Sequence, residues 1–141
     1  MTDREELIEL VNKLFIYTDE KNWEKLKGEV FESFVFLDMT SLGGKAEKMQ
    51  SKAICDMWDE GFKGIDSINH LGGNYLVNAS GDEASVFAYA TATHFKESAK
   101  NGKTREFVGT YDLKMKKGEN GWRINHFTYT LKYLNGNVDL S

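Results

Sequence analysis

Two residues in this chain of 141 have the types and the placement for moving a proton: His70 and His94. Imidazole is the side chain whose ordinary pKa lies nearest neutrality, so it can act as base or acid, and a carboxylate beside one ring nitrogen fixes which of the two it is. His70 lies in SINHLGGNYLVNAS and His94 closes EASVFAYATATHF. Both segments read as strands, joined by a tight turn at Ser80-Gly81-Asp82, and antiparallel pairing about that turn brings the two histidines to the same end of a hairpin. In the second strand Ala84, Val86, Ala88, Ala90, Ala92 and His94 share one face, so small side chains leave room beside the histidine. In the first, His70 shares a face with Ile68, Gly72, Asn74 and Leu76. The bland alternatives are two structurally satisfied histidines and an Asp19 that only accepts hydrogen bonds at the start of a second helix. A metal site made of His70, His94 and His126 would need all three rings on one face. His126 reads as sharing a face with Trp122 and Ile124, away from Phe127 and Tyr129, so no metal is expected and His126 reads as structural. Cys55, with no histidine near it in sequence, reads as a small buried residue.

The elements that must position these residues follow from periodicity. Residues 3–19 carry Leu7, Leu10, Val11, Leu14 and Phe15 at helical spacing, with Thr2 or Asp3 as cap. The face of Ile8 and Phe15, continued by one turn, reaches Asp19. Asn22 is the expected cap of a short helix over 23–29, anchored by Trp23 and Leu26. Residues 31–39 form a strand rich in β-branched and aromatic side chains, 40–46 a loop, and 47–62 a helix through Met49, Ala53, Ile54, Met57 and Trp58, ended by Gly61 or Gly64. After the hairpin at 67–97, residues 105–116 alternate Phe107, Gly109, Tyr111, Leu113 and Met115 against mostly polar partners. Residues 118–121 turn, 122–133 form the last strand, and 135–141 read as a loose tail. Helices ahead of four long antiparallel strands predict an α+β fold, with helices packed on a curved sheet. Gly72-Gly73 inside a strand predicts a bulge or bend. The result is a single domain over 1–141, a cone whose mouth is a deep, mostly apolar pocket.

A formal net charge of −4 disfavours nucleic acid or an anionic membrane as partner, since either selects a basic face. No apolar run approaches the ~20 residues of a membrane span. A charged N-terminus without an apolar secretory core, and one cysteine with nothing to pair with, predict a reducing cytoplasm. The other face of the second hairpin strand carries Phe87, Tyr89, Thr91 and Thr93, which predicts a homodimer or homotrimer through the sheet.

The order of elements, D-E-K-N-W after the first helix, and the H-L-G-G-N-Y hairpin resemble the SnoaL-like branch of the nuclear transport factor 2 superfamily, and scytalone dehydratase in particular. Asp19 matches that family's aspartate in a D-x-K-D-W context, His70 its histidine ahead of two glycines, and His94 its second histidine at the end of the next strand. The resemblance implies a cone fold, no metal or organic cofactor, and removal of a proton next to a carbonyl with expulsion of water, histidine being the base and aspartate its orienter. Scytalone dehydratase also holds a water on the carbonyl with two tyrosines. Here the tyrosine before the aspartate is Thr18, with Tyr17 one step earlier, and the other falls near Asp38 or Met39. Isomerases, cyclases, epoxide hydrolases and non-enzymatic scaffolds share the superfamily, so fold alone does not decide activity. Two classes therefore stand. One is a cofactor-free lyase or isomerase in which Asp19 orients His70, His94 donates to the leaving group or enolate, and Tyr17, Met39, Met57, Trp58, Tyr111, Phe127 and Tyr129 contact a small cyclic or aromatic ligand. The other is a non-catalytic small-molecule binding or dimerisation module. The separation of Asp19 and His70, and whether they open on a cavity, tells the two apart.

Overall fold

In the computed structural model, which describes residues 1–141, helix α1 spans Asp3–Asp19. The hydroxyl of Thr2 caps it by accepting the Glu5 N–H at 3.1 Å, and Leu7, Leu10, Val11, Leu14 and Phe15 are buried along its inner stripe, followed by Thr18. The Asn22 side chain accepts the Lys25 N–H at 3.2 Å and opens α2, Trp23–Lys25, which widens at once into a π turn over Leu26–Val30. Strand β1 is Phe31–Asp38. A single 3₁₀ turn, Thr40–Leu42, leads to β2, Ala46–Gln50, then α3, Ser51–Gly61. The long strands are β3, Ser67–Ser80; β4, Glu83–Phe95; β5, Thr104–Gly118; and β6, Gly121–Gly136. They form one six-stranded sheet in the order β2-β1-β6-β5-β4-β3. The inner stripe of α1 joins Val86, Ala88 and Ala90 of β4, Leu113 and Met115 of β5, and Ile124 and Phe127 of β6 in one buried core. Helices therefore cover one face of an α+β sheet, as the order of elements predicts.

Five features depart from the sequence expectations. Residues 46–50 are a strand, so the third helix starts at Ser51 rather than residue 47. Gln50 is extended (φ −66°, ψ 142°), and residues 46–50 pair antiparallel with β1. The sheet is mixed, because β1 pairs with β6 in parallel, out of sight of local periodicity. The bulge expected at Gly72-Gly73 is present, but its effect on the faces of β3 departs: Gly73 lies opposite Tyr89 but Leu76 opposite Phe87, and Asn74 takes φ +56°. One extra residue inverts the alternation. Tyr75 and Val77 then face the core, while Leu76, expected on the face of His70, is exposed. A second bulge, at Asn125, does the same in β6. Trp122, Ile124, Phe127 and Tyr129 are all buried, and His126 turns outward to stack on Phe36 at 5.0 Å, so His126 does not share a face with Trp122 and Ile124. Last, residues 137–141 are not loose. Leu140 is buried with Ile65, Ile68 and Ala99, and the Lys100 and Asn101 N–H groups both donate to the Ser141 carbonyl at 3.0 Å.

Candidate active site

The last turn of α1 delivers Asp19 to β3. That strand is the sheet's edge, and the His70 N–H, free of any partner strand, donates to both Asp19 carboxylate oxygens at 3.1 Å. The ring follows: His70 Nδ1 lies 2.6 Å from Asp19 Oδ1. An ionised carboxylate only accepts, so Nδ1 carries the proton in the neutral ring and Nε2 keeps its lone pair. Phe15, one turn back on α1, stacks on the imidazole with centroids 5.5 Å apart and planes 3° from parallel. Main-chain clamp, side-chain bond and stack leave the ring little freedom.

Gly72 makes that stack possible. A Cβ there would lie 2.5 Å from the Phe15 ring. Gly72→Ala is expected to force Phe15 off His70 and to cost about 1–3 kcal/mol, as overpacking does; urea denaturation measures it.

His94 sits diagonally across the hairpin, since Ile68 pairs with His94 and His70 with Ala92. It is 6% exposed, held between Phe62 and Phe107 at centroid distances of 5.5 and 5.1 Å. Arg105, its cross-strand neighbour on β5, donates Nε–H to His94 Nδ1 at 3.0 Å. Burial, then the Arg105 charge, then His70, push the His94 pKa down to about 4, so the ring is neutral at pH 7.

Both histidines line a cavity of about 340 Å³. Met39, Met57, Trp58, Tyr111, Phe127 and Tyr129, all expected from sequence, line it too. Burial raises the Tyr111 phenol pKa and pushes that of Tyr129 up to about 12, so both hydroxyls stay protonated and can donate. Tyr17 does not reach the cavity. Its hydroxyl meets Glu29 at 3.3 Å and Lys25 covers its ring, because Thr18 takes the inward position after Leu14 and Phe15. The Thr18 hydroxyl donates back to the Leu14 carbonyl at 2.6 Å. Of the alanine row only Ala92 faces the cavity; Ala88 and Ala90 are covered by the core. Leu14, Phe15, Thr18, Leu42, Phe62 and Phe107 also line the cavity, without having been expected there from sequence. His126 is on the outside of the sheet, so the three histidines do not converge, and no group of three His, Cys, Asp or Glu side chains is placed to hold a metal. Cys55 is buried, and burial first raises its thiol to about 11.

This hairpin, with Asp19 bonded to His70 at a pocket wall, is the arrangement the D-E-K-N-W and H-L-G-G segments implied. Over residues 1–128 the sequence matches the SnoaL-like domain family. The chain belongs to that family. Among curated protein sequences none matches this SnoaL-like chain. Among solved structures it is similar to the Kfla4162 protein from Kribbella flavida, with TM-score 0.91 and 23% identity over 98% of this chain and 95% of that one. It is similar to a protein from Novosphingobium aromaticivorans provisionally named a scytalone dehydratase, with TM-score 0.78 and 14% identity over 92% and 83%. It is also similar to the hexachlorocyclohexane dehydrochlorinase LinA-type3 from Novosphingobium barchaimii, with TM-score 0.78 and 10% identity over 94% and 88%. At such identities the likeness is one of fold.

Proposed function

We propose that this SnoaL-like protein is a cofactor-free lyase or isomerase that removes a proton next to the carbonyl of a small cyclic compound. The observation that carries the reading is the 2.6 Å bond between Asp19 and His70 at the wall of an apolar cavity. Nε2 of His70 takes the proton from the carbon beside the carbonyl, and the C–H electron pair forms the enolate. In a dehydration the enolate pair then forms the carbon–carbon double bond as the neighbouring C–O bond breaks. His70 returns the proton it has taken to the departing hydroxyl, to which the neutral His94 ring donates a hydrogen bond, and the products are an enone and water. Without a leaving group, return of the proton to another carbon gives an isomerisation. General acid–base catalysis of this kind contributes about 10²–10⁴-fold in rate. The apolar wall suits an uncharged ring, and the Tyr111 and Tyr129 hydroxyls are donors to its oxygens. Two structural relatives bear names of elimination enzymes, one expelling water and one chloride, which supports an elimination on this fold.

The test is a panel of cyclic β-hydroxyketones followed by enone absorbance, with thermal shift run in parallel. Turnover of one member that disappears in His70→Ala supports the reading. Tight binding across the panel without turnover of any member favours the non-catalytic binding module.

We further propose that the protein self-associates through the outer face of its sheet. Phe34, Phe36, Leu71 and Leu76 are exposed there, and Phe87 and Tyr89 pack edge to face beside them. Light scattering at micromolar concentration is expected to give the mass of two or three chains; the 16.1 kDa of one chain contradicts it.

A further inference from the structure

We propose that Arg105 is a positioning residue that fixes His94 as the tautomer protonated on Nε2, which makes His94 a hydrogen-bond donor to the cavity. A guanidinium has five N–H donors, no acceptor, and stays protonated. With Arg105 Nε 3.0 Å from His94 Nδ1, that ring nitrogen can only accept. The one proton of the neutral ring is then on Nε2. No buried side-chain polar atom lacks a partner; Nε2 of His94 has none among protein groups, so it opens onto the cavity that His94 lines. His70 has the opposite neighbour, a carboxylate at Nδ1, and the opposite polarity: its Nε2 is bare. Two identical side chains on adjacent strands thus become a base and a donor through the residue behind each.

Arg105 is itself fixed. Its Nη1 donates to the Val138 carbonyl at 2.9 Å, and its guanidinium lies 5.5 Å from the Phe107 ring centre. The segment supplying that carbonyl is pinned on both sides. Asn137 donates its N–H to Thr104 at 2.9 Å and its side-chain amide to Gly102 at 2.8 Å, and Leu140 is buried. Gly136 at φ +91° allows the approach, since a Cβ there would lie 2.6 Å from the Thr104 carbonyl. Residues 137–141, beyond the stretch that matches the family, therefore brace the group that polarises His94.

The tautomer stands apart from the proposed reaction; only the use of the donor rests on that reading. Nitrogen-15 spectra of the histidine rings test the first. Expected in the unaltered protein are a bare Nδ1 and a protonated Nε2 on His94, with a scalar coupling across the hydrogen bond from Arg105 Nε to His94 Nδ1. Arg105→Leu is expected to give a mixture of tautomers, and Arg105→Lys, which keeps a donor, to restore the single form. A protonated Nδ1, absence of the coupling, or an unchanged single tautomer in Arg105→Leu overturns the proposal. If Arg105→Leu fails to fold, the coupling and tautomer of the unaltered protein decide. Binding of 4-nitrophenolate, a planar oxyanion, tests the donor's use. Its affinity is expected to fall about twofold in Arg105→Leu, the fraction of an equal tautomer mixture still protonated on Nε2, and to return in Arg105→Lys. If the unaltered protein shows the stated tautomer but does not bind 4-nitrophenolate, the tautomer stands and the donor role in the reaction falls.

Discussion

Asp19→Asn is expected to lower turnover of a cyclic β-hydroxyketone almost as far as His70→Ala does, by about 10²–10⁴-fold, while leaving the fold nearly intact. The two Asp19 oxygens both receive the His70 N–H, and one also receives Nδ1–H. An asparagine has one oxygen and one NH₂. If its oxygen keeps the main-chain N–H, its NH₂ faces Nδ1, and an N–H donor there moves the ring proton to Nε2. The base becomes a donor, the polarity that Arg105 gives His94. Because the two residues act as one unit, the double mutant is expected to fall far short of the summed losses. The measurement is a double-mutant cycle scored on both turnover and melting temperature. A purely structural Asp19 gives the reverse pattern: a marked drop in melting temperature and additive losses.

The second large effect is loss of stability in mild acid. In the folded protein His94 resists protonation until about pH 4, because it is buried and then because Arg105 and His70 oppose the charge. In the unfolded chain it takes a proton near its ordinary value of about 6.5. Between these limits the unfolded state binds more protons, so stability falls as pH falls. The contribution of His94 is complete above pH ~6.5 and is lost by pH ~4, at up to about 1.4 kcal/mol per pH unit. The total is on the order of 3 kcal/mol, a sizeable part of the roughly 5–15 kcal/mol that holds a domain folded. Urea denaturation at pH 7 and at pH 4 measures it. Since carboxylates also titrate in this range, the decisive quantity is the difference from His94→Asn. That variant is expected to be less stable at pH 7 and to lose less on acidification. Parallel pH profiles for the two proteins contradict a neutral buried His94.

The Asp19–His70 pair was legible because it depends only on elements with strong local signals. The stripe from Leu7 to Phe15 specifies α1, and its next inward turn brings Thr18 and Asp19 to β3. The alternation in β4 fixed the side on which His94 falls. Of the bulges, only the one at Gly72-Gly73 was legible. The two glycines marked it, but its inversion of alternation moved Leu76 outward and Tyr75 inward. At Asn125 no glycine or proline gave warning, and His126 went to the other face. The parallel pairing of β1 with β6 and the strand Ala46–Gln50 depend on partners far along the chain, which local periodicity does not carry. Tyr17 followed from resemblance rather than helical phase, and phase decided in favour of Thr18. Arg105 carried a signal that went unread. It shares the alternation of Phe107, Gly109 and Tyr111, so a charged residue stood on an apolar face, opposite His94 in register. A charge in that position needs a partner.

The Asp19–His70 pair as a base is tested most directly by exchange of carbon-bound hydrogen. A cyclic ketone panel in D₂O, followed by proton NMR, reports loss of the signal from the carbon beside the carbonyl even where no leaving group departs. Expected is exchange of at least one member well above the buffer rate with the unaltered protein, and no exchange above buffer with His70→Ala. Equal exchange by the unaltered protein and His70→Ala across the panel would contradict the pair's role as base.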